Sequence, residues 1–220
     1  SKMFNDPFAL GKTKGKVRFD NSDTYGYCVY GPMMMKFLLW LYEKSHKDEI
    51  NKLLFFARDG YFLEKDYRLV SCILDKQTGN KKQDIQYLPI SRRLIYIATI
   101  ENGEDFKRVV EFPYVGTFKD YMYSRFNIVV NHNSQKYNNI LINAVSDADK
   151  ILTWITPYED EIKKEIMWER NNYIKYLEKM NLFTNEKYGT VDLGYYGTNQ
   201  FYLQKLLNRK MKGYCLTACL

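Results

Sequence analysis

Apolar positions along this 220-residue chain alternate between helical spacing and short unbroken runs, and the switches mark its elements. Gly31-Pro32 opens a helix over residues 33–43, with Met34, Phe37, Leu38 and Leu41 at helical spacing. Leu53-Leu54-Phe55-Phe56-Ala57 follows, bounded by Lys52 and by Arg58-Asp59-Gly60; its length predicts a buried strand. Leu63, Tyr67, Val70 and Leu74 then return to helical steps, and Gly79-Asn80 centres a turn over residues 77–82. Residues 85–90 read as a second strand ending at Ser91-Arg92-Arg93. Strand, helix, strand is the pattern of a parallel α/β sheet.

From about residue 98 to 180 the pattern is helical, with no strand predicted. Thr117 precedes a short amphipathic stretch ending near Phe126, and Leu141, Val145, Ala148, Leu152 and Ile155 mark a further helix. Thr156-Pro157-Tyr158-Glu159 predicts a capped start to the next helix, which runs to about Met180. Residues 189–194 form a short strand. Tyr195-Tyr196-Gly197-Thr198-Asn199 leads into a helix through Leu207, and residues 213–220 make a last strand. The fold class expected is α/β: a Rossmann-like, mostly parallel sheet with a helical insertion at about 98–182. One such domain covers 26–220 behind an irregular lead-in, 1–25. The apolar final strand suits a fragment of a longer protein.

Composition narrows the class. Hydrophobic residues make up 45% and charged residues 27%, a globular balance that excludes disorder. The longest apolar run, 33–42, is interrupted by Lys36 and is too short to cross a bilayer. Four cysteines without close pairing do not make a disulfide scaffold, so a reducing, cytoplasmic setting is expected; Cys28 and Cys72 read as core fillers. The net charge of +7 comes from scattered lysines, without a nucleic-acid-binding motif, so no nucleic-acid partner is expected. With only His46 and His132 present, a histidine triad or histidine metal cluster is excluded as a working hypothesis.

In open α/β sheets, ligands bind beyond the carboxyl ends of the strands. Three such ends carry suitable residues: Arg58-Asp59-Gly60, Ser91-Arg92-Arg93, and the segment from Asp192 and Gly194 through Tyr196, Gly197, Thr198 and Asn199. Arginine offers a planar fork for phosphate or carboxylate, and the helix starts after Gly60 and Gly197 offer free backbone N–H groups. Each residue also has a plain structural role: Asp59, Ser91, Thr198 and Asn199 as helix caps, the glycines as turns. Arg92 and Arg93 point in different directions on a helix, so one at most faces a ligand. Glu169 and Arg170 interrupt the apolar stripe Ile162, Ile166, Tyr173, Leu177 and Met180, which calls for an internal ion pair or a site.

Leu54-Phe55-Phe56-Ala57-Arg58-Asp59-Gly60-Tyr61-Phe62-Leu63, Ile90-Ser91-Arg92-Arg93, Glu169-Arg170 and Val191-Asp192-Leu193-Gly194-Tyr195-Tyr196-Gly197-Thr198 occur in that order. Together they resemble the carboxy-terminal half of bacterial predicted hydrolases of the haloacid dehalogenase superfamily, associated with surface-polysaccharide and glycosyltransferase gene clusters. The resemblance spans roughly residues 30–220. It implies a phosphorylated sugar or nucleotide-sugar as ligand, Mg2+ as a cofactor with Asp192 as its ligand, and further domains of a longer chain as partners. It also implies catalytic roles for Asp59 and Asp192. A phosphatase of that superfamily needs an Asp nucleophile two residues before its acid/base Asp, and here that position is Ala57, so the usual covalent route lacks its nucleophile. The functions expected are phosphoryl or glycosyl transfer, or hydrolysis; a non-catalytic module docking a neighbouring hydrolase or glycosyltransferase is the alternative.

Overall fold

The computed structural model describes residues 21–130 and 137–218. The chain divides into two compact units, residues 1–88 with 186–195 and 212–220, and residues 89–185 with 196–211.

In the first unit, α1 (Ser22–Tyr25) and a π-helical turn (Gly26–Tyr30) lead directly into α2 (Gly31–Lys47). The lead-in expected to be irregular is therefore helical from Ser22; residues 1–20 lie outside the described residues. Met34, Phe37, Leu38, Leu41 and Tyr42 make one buried stripe along α2. Then come β1 (Lys52–Phe56), α3 (Gly60–Thr78) and β2 (Asp84–Leu88), and later β5 (Tyr188–Tyr195) and β6 (Lys212–Ala218). The four strands form one all-parallel sheet in the order β2-β1-β5-β6. β1 is central and buried at every position, which is why it reads as an unbroken apolar run. Leu53, Phe55, Ile85, Val191 and Tyr214 on one face of the sheet pack with the buried residues of α2 and α3. Beneath them Gln83 accepts hydrogen bonds from Tyr67 (2.8 Å) and Ser45 (3.2 Å) and donates to the Ile50 carbonyl (2.9 Å). Cys28 is buried as expected; Cys72 is exposed on α3, a correction, because it lies off that helix's buried stripe.

The second unit contains α4 (Arg92–Ala98), α5 (Gly103–Glu111), β3 (Val115–Thr117), α6 (Phe118–Phe126), β4 (Leu141–Asn143), α7 (Ala148–Ile155), a 3-10 turn (Thr156–Tyr158), α8 (Glu159–Lys179) and α9 (Thr198–Leu207). Its own core gathers Val109, Val110, Phe118, Tyr121, Met122, Phe126, Ile151 and Ile162. At roughly 1.5–3 kcal/mol for each fully buried large apolar side chain, such clusters outweigh helix propensities of a few tenths per residue.

Three expectations for this unit need correction. β3 and β4 pair antiparallel where no strand was expected, since three residues are too few to show alternation. The helix expected from Leu141 starts only at Ala148. Asn143 and Asp147 instead hold a turn, with the Val145 N–H on Asn143 Oδ1 (3.1 Å) and the Asn143 N–H on Asp147 Oδ2 (2.9 Å). Thr156 does not cap α8; its hydroxyl donates back to the Leu152 carbonyl (3.2 Å), and Glu159 pairs with Lys163 rather than closing a capping box. By contrast, Thr117 caps α6 through the Asp120 N–H (3.3 Å).

Candidate functional site

The sheet of the first unit has a switch point. From β1 the chain crosses through α3 to β2 on one side, whereas β5 lies on the other side of β1 and continues outward to β6. Crevices for ligands form at the carboxyl ends of the two strands flanking such a reversal, here β1 and β5.

After Phe56 the chain needs only Ala57, Arg58 and Asp59 to reach α3. The Ala57 N–H still belongs to the sheet, donating to the Leu88 carbonyl (3.0 Å). Gly60 is required by packing: a Cβ there would stand 2.8 Å from the Phe55 carbonyl carbon, so any side chain would push α3 off its strand. Asp59 occupies the cap position but makes no capping hydrogen bond. Arg58 and Asp59 are both exposed, and among the described residues neither side chain has a hydrogen bond or ion pair. An arginine and a carboxylate thus stand open to ligand at the end of the central strand.

On β5, Val191 lies opposite Phe55 and points into the core with it; alternation turns Asp192 to the other face, level with the end of β1. Its partner in register on β6 is Cys215, whose thiol is pushed up by burial and, secondarily, by the Asp192 charge. Gly194 has φ +139°, and a Cβ there would fall 2.0 Å from the Thr217 carbonyl oxygen. Its place is therefore fixed by the close approach of β6.

The remaining candidates belong to the second unit. Ser91 caps α4, accepting from the Leu94 N–H at 3.2 Å. Arg92, next along, is exposed and has no ion pair among the described residues. Arg93 turns the other way and makes a bidentate pair with Glu169 (2.6 and 3.0 Å). Arg170 does not bond Glu169; it donates to the Ile100 carbonyl (3.2 Å) and lies 3.8 Å from Glu101. The two interrupting charges of α8 thus have separate partners. Gly197, at φ +65°, starts α9; Tyr196 before it is 76% exposed, and Thr198 and Asn199 occupy the first helical turn. Asn199 Oδ1 is buried without a hydrogen-bond partner, leaving a polar atom that calls for a donor.

Helices α4 and α9 pack together and run in the same sense. Tyr96, one turn into α4, meets Tyr202, one turn into α9 (4.5 Å between ring centroids), and further along Lys205 donates to the Thr99 carbonyl (3.3 Å). Their amino ends therefore lie at one end of the pair, which brings Ser91 and Arg92 to the same side as Gly197, Thr198 and Asn199. Each start leaves backbone N–H groups without helical acceptors. Sequence reasoning named these starts.

Magnesium, when phosphate oxygens and water complete its shell, needs only one or two protein carboxylates. Asp59 and Asp192 are hard oxygen donors of that kind on the first unit. Among the described residues no group of three or more His, Cys, Asp or Glu is placed to hold a metal, and no helix is long and apolar enough to cross a membrane.

A scan against protein-family models and a search of curated proteins both find no match for this chain.

Proposed function

We propose that this chain is a haloacid-dehalogenase-like domain that binds a phosphorylated sugar or nucleotide-sugar in bacterial surface-polysaccharide synthesis, working in the cytoplasm beside other domains of a longer chain. The observation that carries the reading is the pair Arg58 and Asp59, exposed and unpartnered at the carboxyl end of the central strand, on the switch-point side nearest Asp192. Exposed charges at the crevice position of an open α/β sheet are free to take an anionic ligand. Within the second unit, the parallel starts of α4 and α9 bring N–H donors and Arg92 together, which also suits an anion.

In this reading Arg58 takes the phosphate at the carboxyl end of β1 in the first unit; within the second unit, Arg92 and the backbone at Gly197, Thr198 and Asn199 suit an anion of their own. Asp59 or Asp192 accepts the proton of the attacking hydroxyl or water as its oxygen bonds to the phosphoryl or glycosyl group, and the bond to the leaving sugar or nucleotide oxygen breaks with its electron pair going to that oxygen. With a methyl group at Ala57, no side chain there can form a phosphoryl-enzyme, so transfer is direct. With Asp59 as the base, magnesium held by Asp192 would neutralise charge on the transferring group.

A second reading rests on a different observation. Trp40 on α2, and Phe62, Leu69 and Ile73 on α3, are exposed at 43%, 72%, 68% and 59%. These are docking residues if the chain serves a neighbouring hydrolase or glycosyltransferase without catalysis.

A thermal-shift screen against sugar phosphates, nucleoside diphosphates and nucleotide-sugars, with and without magnesium, separates the two. A ligand at a hundred times its dissociation constant stabilises the native state by about 2.7 kcal/mol. The proposed function predicts a reproducible rise in Tm for at least one phosphorylated ligand and none for the free sugars. A well-folded sample that no phosphorylated ligand stabilises favours the docking module.

A further inference from the structure

Arg125, in α6, is 5% exposed, and among the described residues no carboxylate lies within ion-pair distance of it. Other arginines of its unit are paired: Arg93 meets Glu169, Arg108 meets Asp105 and Glu104, and Arg170 meets Glu101. Its guanidinium lies over the rings of Phe112 (5.0 Å) and Tyr121 (5.3 Å), and Nη2 donates to the Phe112 carbonyl (2.7 Å). Nε is buried with no acceptor. A buried cation stabilised by aromatic faces, the Tyr121 side chain and one carbonyl, with its Nε–H left over, lacks the counter-charge that burial ordinarily demands.

A chain of aromatic contacts leads from Arg125 towards Arg92. Phe112, under the guanidinium, packs edge-on against Tyr96 (5.2 Å between centroids). Tyr96 lies one turn beyond Arg92 on α4, so the two side chains share a face of that helix. The unpaired Arg92 and the carboxylate-free Arg125 thus bracket Tyr96, which itself contacts Tyr202 of α9. Burial and the neighbouring Tyr202 push the Tyr96 phenol up while Arg92 and Arg125 pull against them, so both positive charges act on one hydroxyl. Arg93 is already engaged, since it donates to Glu169 and, through Nε, to the Arg125 carbonyl (3.1 Å).

We infer that Arg92, Tyr96 and Arg125 form an anion subsite of the second unit that receives a phosphate group, with Tyr96 as a hydroxyl donor between two guanidinium forks. The subsite rests on the reading that the chain binds a phosphorylated ligand, and it adds Tyr96 and Arg125 to the residues that bind it.

Side-chain Nε–H signals of the arginines, followed by NMR during titration with inorganic phosphate and then with a nucleotide-sugar, test this directly. The subsite predicts that phosphate moves the Arg92 and Arg125 signals together, and that Arg92→Ala weakens this response about tenfold or more, the loss of one charge-assisted contact. Arg92 is exposed, so that variant keeps the fold. Arg125→Lys, with its circular dichroism checked against wild type, should weaken phosphate to a similar extent. If phosphate or nucleotide-sugar moves Arg58 alone and leaves Arg92 and Arg125 still, the subsite is wrong and the proposed function stands. If neither ligand moves any arginine, both fall.

Discussion

At the scale of single residues, side chains of one type divide by what they touch. Arg92 and Arg93 are neighbours in sequence, yet one is open to solvent and the other is clamped to Glu169. Asp59 and Ser91 both precede helices, but only Ser91 caps its own. Among the described glycines, Gly194 is the most constrained, since any Cβ meets the Thr217 carbonyl and its φ of +139° suits few other residues. Gly194→Ala should therefore destabilise the protein by about 2 kcal/mol or more. Gly103→Ala, where a Cβ meets open space, should change stability by less than about 0.5 kcal/mol. Thermal denaturation of the two variants side by side checks this, and equal losses would refute the packing role given to Gly194. The arginine and aspartate of the central strand end were legible in sequence because a charge after an apolar run has few places to go. Arg125 was not: on a short amphipathic helix a buried arginine looks like a solvated one until its neighbours are known.

At the scale of elements, runs and stripes that bury whole faces were legible, and short or exposed ones were not. β1 and α2 announced themselves through continuous burial, whereas Leu141 and Val145 kept helical spacing while standing 74% and 61% exposed outside any helix. The elements of the second unit are tied by ionic contacts as well as by their core. Asp105 at the start of α5 accepts from Lys205 of α9 (2.8 Å) and from the Glu101 N–H (3.2 Å). Burial pushes its carboxyl up, but Lys205, the Glu101 N–H and Arg108 outweigh it and hold the carboxyl below its ordinary value. A carboxyl depressed by folding contributes stability that is complete above the unfolded-state range and is lost as pH falls through the folded value. Acid unfolding of wild type should therefore steepen below about pH 4, and Asp105→Asn should be less stable at neutral pH with part of that steepening removed. A variant whose acid profile superimposes on wild type would exclude this contribution. Glu169→Ala, which strands the Arg93 fork, should cost about 2 kcal/mol in urea denaturation; a loss under 0.5 kcal/mol would make that pair a surface ornament rather than a tie between α4 and α8.

At the scale of the whole molecule, the parallel α/β class was legible from the order of elements, but the strand order was not. β1 pairs with β5, a strand that returns after the entire run from β2 through α8, and nothing local in either sequence specifies that partner. That pairing is what creates the switch point beside Arg58. The formal charge of +7 adds long-range attraction for anions in general, so affinity for a phosphorylated ligand should weaken with added salt but persist at physiological ionic strength, where contacts at a fixed site survive screening. The central claim is that the exposed arginine at the end of the central strand binds that ligand. It is tested most directly by calorimetric titration of wild type and Arg58→Ala with the phosphorylated ligand that most raises the Tm of wild type. A dissociation constant raised about tenfold or more by the substitution, at unchanged Tm without ligand, is the predicted result; equal affinity of the two proteins would contradict it.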